Sequence, residues 1–222
     1  MKKIILLSTI FCFGVSFIGA QTNSALADEA DNQSWNDVQL SVPLNEQFDL
    51  YTALTARFGK NITRLNDGRF AVGIIYKPNK AFSFQPFYWF IRARNARGEF
   101  RREHRFNLRA GYRFPFKKFG LSHRSWFEYR RRAPRNSWRY RPSLTFEKDV
   151  PKNIISKAKF FATEEIFYDS ILKKFSRNRF TVGLTKTLTK KLSLDVYYMR
   201  QNDGFSRPGN LNVIGTSWKV RL

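Results

Sequence analysis

The sequence predicts an all-β fold: an antiparallel transmembrane β-barrel of about ten strands behind a cleaved signal peptide. Three observations carry that expectation. The N-terminus is apolar and lysine-headed, period-two alternation recurs along the rest of the chain, and the alternating stretches are longer than ordinary globular strands.

The leader comes first. Lys2 and Lys3 precede the apolar run from Ile4 to Ile18, and Ile18-Gly19-Ala20 and Ala25-Leu26-Ala27 offer two small-residue cleavage sites. A basic head, a short apolar core and small residues at the cut describe a secretory signal peptide, here residues 1–27 with cleavage after Ala20 or Ala27. The only cysteine, Cys12, lies inside that core, so the exported chain, residues 28–222, has no thiol for a disulfide or a metal.

Charge narrows the partners. Forty Lys and Arg residues against 17 Asp and Glu give a net charge of +23, and aromatics make up 17% of the chain. Arg124 to Pro142, "RSWFEYRRRAPRNSWRYRP", could serve a nucleic-acid binder, with rings for stacking and arginines for phosphates. Export argues against nucleic acid as a partner. The expected surroundings are outer-membrane lipid, with lipopolysaccharide phosphates as ligands for surface arginines and lysines, in the outer membrane of a Gram-negative bacterium. No cofactor is implied, and oligomeric state is not encoded in the pattern.

The strands are taken in order. Trp35 to Val42 ends at Pro43-Leu44-Asn45. Gln47 to Phe58 alternates Phe48, Leu50, Thr52, Leu54, Ala56 and Phe58. Arg69 to Lys77 alternates Phe70, Val72, Ile74 and Tyr76, and stops at Pro78-Asn79. Ala81 to Ala93, Phe100 to Phe114, Phe119 to Arg132, Trp138 to Lys148 and Ala158 to Tyr168 follow. Then comes a hairpin about Thr189-Lys190-Lys191, and last Leu211 to Leu222. Period two between turn residues is the strand signature.

Length and connection decide between a soluble sandwich and a barrel. A tilted strand needs about 9 to 11 residues to cross a bilayer, whereas globular strands average about 5 to 6. Tight turns at Pro43, Pro78 and Thr189 alternate with longer stretches at Gly59–Gly68, Asp169–Ser176 and Gly204–Asn210, the outer-membrane pattern. Eleven candidate segments are an odd total, and single-chain bacterial barrels have even numbers. Setting aside Trp35 to Val42 gives ten; adding Ala27 to Ser34 gives twelve. Pro86 and Pro142 fall inside strands, where bulges would accommodate the missing N–H groups.

Several stretches also resemble a known family. They are "NRFTVGLTKTLTKKLSLDVYYMRQND" from Asn178, "ATEEIFYD" from Ala162, "LRAGYRF" from Leu108 and "VPLNEQFDLYTALTARF" from Val42. They are similar to the bacterial family called domain of unknown function 2490. The resemblance runs over most of the exported chain and is strongest from Phe160 onward. It implies an outer-membrane-type barrel and transfers no catalytic residues. The terminus Trp218-Lys219-Val220-Arg221-Leu222 alternates like a barrel assembly signal but ends in leucine, where many such barrels end in an aromatic residue.

Function is expected in the lumen. Parity turns Arg101, Arg105, Arg109 and Arg113 inward, with Arg124, Glu128, Arg130, Arg139, Arg141, Glu147 and Glu165. A ten-strand barrel is narrow, so side chains fill much of it. Unpaired buried charge is costly, so Glu103, Glu128, Glu147 and Glu165 are expected to bridge arginines. The expected network is Arg105, Arg109, Glu103, Glu128 and Glu165, in a non-enzymatic envelope protein. The alternatives are a narrow anion pore and a lipid-modifying outer-membrane enzyme. For the last, the catalytic candidates are His123 and Ser125, two apart on one strand face; as a polar pair at the lipid interface they need no catalytic role. His104 has no second ligand at metal spacing, so no metal site is expected.

Overall fold

A computed structural model describes residues 30–95 and 97–222; the expected signal peptide and its cleavage sites lie outside the described residues. Eleven strands carry the chain: β1 (Asp31–Pro43), β2 (Phe48–Gly59), β3 (Arg64–Tyr76), β4 (Phe82–Arg94), β5 (Phe100–Arg113), β6 (Gly120–Arg131), β7 (Ser137–Asp149), β8 (Ala158–Asp169), β9 (Lys174–Thr187), β10 (Leu192–Asp203) and β11 (Leu211–Arg221). Each pairs with its chain neighbours, and β1 pairs with β11 to close the barrel.

The closing pair is parallel, with Asp31 opposite Leu211 and Ser41 opposite Arg221; every other pair is antiparallel. Parity demands this. Strands alternate direction around a meander, so an odd count brings two strands of the same direction together at closure. The expected ten strands, or twelve, are therefore corrected to eleven among the described residues. Trp35 to Val42, set aside to reach ten, lies within β1, and Asp31 to Ser34 are the start of β1 rather than a twelfth strand.

Two carboxylates tie β1 and its neighbours together, and Asp49 reaches across the parallel seam. At one end Asp49 of β2 accepts hydrogen bonds from Lys77 Nζ at 2.7 Å and from Arg221 Nη1 of β11 at 2.7 Å, which spans β1. At the other end Asp31 accepts from the backbone amides of Lys60 and Asn61 at 3.0 and 2.8 Å. Those amides belong to a turn in which Lys60, Asn61 and Ile62 all have positive φ, uncommon for residues with side chains. The end that carries Asp49 and Leu222 is called the base, and the opposite end the mouth.

The expected alternation of loop length is corrected too. Short and longer connections occur at both ends: residues 44–47 and 150–157 at the base, 60–63 and 204–210 at the mouth. Two of the three expected mouth loops are largely strand, because β3 begins at Arg64 and β9 at Lys174, while Gly204–Asn210 is a loop as expected. Bulges at Arg57/Phe58 and Phe167/Tyr168 bring these polar extensions into register. No bulge forms at Pro86 or Pro142. Instead the ladders between β3 and β4, and between β7 and β8, skip beside each proline. Gly73 lies next to the first gap, where a Cβ would collide with the Pro86 carbonyl and the Phe87 backbone.

The two walls of the sheet differ as the alternation requires. Outward residues include Val38, Leu54, Phe106, Val196 and Ile214, all about half exposed or more. Rings encircle part of this wall near both ends. Near the base Phe48 stacks on Tyr76 at 4.7 Å, and Phe116 on Phe119 at 4.8 Å. Near the mouth Trp138 sits between Phe127 at 5.7 Å and Tyr168 at 5.4 Å. The inward wall carries two small apolar clusters, one around Phe87, Trp89, Ile91 and Trp126, the other around Trp35, Met199 and Val213. Between them lie charges.

The wall assignment is testable on β10. Val196 faces outward and Ser193 inward, one strand from the seam. Val196→Arg should cost about 2 to 4 kcal/mol in a bilayer, as a charge on a lipid-facing wall does. Ser193→Arg should cost less. Urea titration of the folded, heat-modifiable form in lipid checks this; equal losses would contradict the assignment.

Candidate functional site

Strand parity puts the guanidiniums and carboxylates of β5 to β9 on one inner wall, and cross-strand register sets their partners. Glu103 of β5 is held in a double fork. Arg105 donates to it at 2.8 and 3.2 Å, and Arg130 of β6 at 2.5 and 3.1 Å. Arg105 also lies 3.6 Å from Glu128. Arg141 of β7 then bridges Glu128 at 2.6 Å and Glu165 of β8 at 2.8 Å. Glu165 also accepts from Arg124 at 2.7 Å and lies 3.9 Å from Arg179 of β9. The result is one connected chain of ion pairs across five strands, with Glu128 wholly inaccessible to solvent.

The five residues expected to form the network are therefore not equivalent. Glu103, Arg105, Glu128 and Glu165 are brought together. Arg109 is not: among the described residues no carboxylate lies within ion-pair distance of it. Its guanidinium stacks on Trp126 at 3.7 Å and on Phe87 at 4.5 Å, and reaches Gln85 at 3.4 Å. The reason is register. Arg109 lies opposite Gln85 on one side and Trp126 on the other, so no acid is adjacent. Glu147 pairs with Arg113 at 3.4 Å near the base, half exposed and apart from the chain.

Pattern alone does not single out Arg57, Arg69, Arg177 or Arg179 as lumen residues. Arg141 is the hub; it was in the inward set, but only register shows that it reaches two carboxylates. Arg57 and Arg69 enter from β2 and β3, and alternation places both inward. Arg57 stacks on Trp35 at 3.4 Å and has no ion pair among the described residues; Arg69 is forked on Asp67 at 2.6 Å. Arg139 pairs with Asp169 at 2.7 Å, and Arg177 donates through Nε to Asp203 at 2.6 Å.

These groups surround a cavity of about 60 Å³ in the mouth half of the barrel. Seven arginines line it, from β2, β3, β5, β7 and β9, with Glu128 and Phe167. A larger hollow of about 490 Å³ is open and lies on the outer wall between Val38, Leu54, Gly68 and Trp218. It lacks the convergent guanidiniums of the inner cavity.

The histidine–serine pair lies elsewhere. His123 and Ser125 point outward from the base half of β6, opposite in direction to Arg124 and Trp126. His123 Nε2 lies 3.1 Å from Ser125 Oγ, which also meets the Tyr140 hydroxyl at 2.9 Å. Among the described residues no carboxylate bonds to His123. Its cross-strand neighbours are Tyr112 and Leu144. His104 also faces outward and bonds to the Tyr88 hydroxyl.

A closed barrel with an apolar outside and charges within is a porin-like architecture. A solved structure of the NanC porin is similar, with a TM-score of 0.51 and 11% identity, over 87% of this chain and 100% of that one. The anion-selective porin from Comamonas acidovorans gives a TM-score of 0.38 and 11% identity, over 79% of this chain and 54% of that one. At such identity the first likeness is one of fold, and no curated protein sequence matches. The particular family comes from the sequence: the chain belongs to the family described as "Protein of unknown function (DUF2490)", whose model matches residues 32–212.

Removing one acid from the chain should expose its design. Glu165→Gln leaves the buried Arg141 short of a charge partner and should cost on the order of 3 to 5 kcal/mol. Glu147→Gln, near solvent, should cost less than about 1 kcal/mol. Urea unfolding in detergent micelles measures both; a mild Glu165→Gln would mean that water reaches the site.

Proposed function

We propose that the protein is a non-enzymatic barrel of the outer membrane of a Gram-negative cell, with the C-terminus on the periplasmic side and the waist closed by its arginine–carboxylate chain. The observation that carries this reading is burial inside the mouth half of the barrel. Glu128, Ile91 and Val213 point inward there and have 0% exposure, which supports a lumen packed with side chains at that level. The two partial rings of aromatics and the apolar wall between them support the membrane setting, since spanning barrels place such girdles at both interfaces. Arg92, Arg102 and Arg131 are exposed on the outward face near the mouth. There they would meet lipopolysaccharide phosphates.

The alternative is a narrow anion pore. In planar bilayers the closed reading expects no stable conductance from the folded wild type. Steady anion-selective channels would overturn it and make the arginines a conduction path. Export is tested separately: the folded chain should fractionate with outer membranes and migrate heat-modifiably.

A lipid-modifying role would rest on His123 and Ser125. A serine nucleophile needs a base that is itself oriented by a third group. Here the third contact is Tyr140, and it is made to the serine rather than to the histidine. Ser125→Ala should leave the acylation pattern of cellular lipopolysaccharide unchanged by mass spectrometry; a changed pattern would restore the enzymatic reading.

A further inference from the structure

The inner cavity has more positive charge than its own acids neutralise. Seven arginines line it, and Glu128 is the one acid in the lining. Behind them stand Asp67, Glu103, Glu165, Asp169 and Asp203, which pair with the lining arginines. Arg124 and Arg130 draw on the same acids. Nine guanidiniums thus share six paired carboxylates; Asp37, inward on β1 and felt by Arg57 without an ion pair, leaves an excess of at least two positive charges. An uncompensated charge in a water-poor interior is destabilising, so the arrangement calls for an anion.

The cavity's shape and free valences narrow the class. About 60 Å³ holds a few waters or one small oxyanion and is too small to enclose a sugar or an acyl chain. Arg57 Nε and Arg141 Nε, both on lining residues, are buried donors without a hydrogen-bond partner. Planar guanidiniums that converge from five strands suit the spread oxygens of a tetrahedral anion. Glu128 adds discrimination. Its Oε1 is taken by Arg141, while its Oε2 is buried and has no partner. A carboxylate oxygen can only accept a hydrogen bond, so it favours an anion that carries a proton. Hydrogen phosphate does so near neutral pH; sulfate does not.

From this geometry we propose that the cavity is a binding site for one protonated tetrahedral oxyanion of the phosphate class, held by the lining arginines and selected against sulfate by Glu128. The site deepens the closed-waist reading and rests on it, because only a water-poor cavity makes the charge excess costly. Entry is from the mouth, since Arg57, Arg139 and Arg177 lie within a few residues of that end of their strands.

The test uses the full exported chain, folded in detergent free of phosphate and lipopolysaccharide. Inorganic phosphate, sulfate and glycerol phosphate are titrated by calorimetry, with the heat-modifiable band as the check on folding. Phosphate should bind saturably at one site, and sulfate at least tenfold more weakly. Arg57→Met removes a lining cation that has no ion pair, so folding survives while phosphate affinity falls at least tenfold. Glu128→Gln, where it folds, should abolish the preference over sulfate, since an amide can donate to either anion. Glycerol phosphate binding as tightly as phosphate assigns the site to phosphorylated headgroups; weaker binding assigns it to the free ion, and either supports the proposal. No saturable phosphate binding, equal sulfate binding, or unchanged affinity in Arg57→Met overturns it. Conductance of the wild type reports on the closed waist alone, so the two failures are distinguishable.

Discussion

A guanidinium on the inside of a narrow closed sheet cannot turn to bulk water as a surface arginine can. Its backbone groups are fixed in the ladder, its direction is set by parity, and in the mouth half side chains leave it little room for water. It must find a carboxylate, a ring or an anion. Much of the interior follows from that constraint. Glu103 takes two forks, Arg141 joins two acids, and Arg57 and Arg109 rest on tryptophans. Trp126 serves two cations, Arg109 and Arg141, its cross-strand neighbours on either side, each at 3.7 Å. Such contacts contribute most where water is excluded.

Closure imposes a second constraint, met by different means. A parallel pair is slightly less stable per residue than an antiparallel one. Here it is also the one contact between chain ends, with no hairpin to fix its register. A polar clamp at the base does that instead, and a second one braces β1 against β2 at the mouth. Asp49 and Arg221 tie β2 to β11 across β1 at the base, and Asp31 holds the first mouth turn to the start of β1. Glycines let the inner wall pack nearby. Tyr197 lies against Gly215 and Gly183 on its two neighbouring strands, where any Cβ would meet its side chain.

Much of this was legible in the sequence because a barrel strand carries its own record. Each of the eleven segments marked by alternation lies within or close to a strand. What the pattern cannot carry is any property of two strands at once. The parallel seam depends on a count that one extra segment changes, so a rule favouring even numbers displaced β1. Arg109 shares its face with Arg105, and alternation makes the two equivalent, yet register puts Gln85 and Trp126 beside it rather than an acid. The mouth extension Lys174 to Ser176 reads as loop because a bulge interrupts period two there: Phe167 pairs with Arg177 and Tyr168 with Phe175, leaving Ser176 unmatched.

Stability alone does not explain why the plug is charged. Well-packed apolar residues of similar volume often replace buried ion pairs at no loss, because desolvation offsets most of the attraction. The inner wall shows that this chain can build such packing, since Phe87, Trp89, Ile91 and Trp126 form it beside the charges. The charges are also unevenly placed. The half-exposed inward positions of the base half include Ser122, Thr145, Thr163, Thr181 and Ser193, small hydroxyl side chains. The arginines gather in the mouth half, around one void, in excess of their acids. A plug made only to fill space would not need that excess or that asymmetry. Both follow if the arginines are placed for something negative that arrives from the mouth, and the paired acids keep them fixed in position until it does.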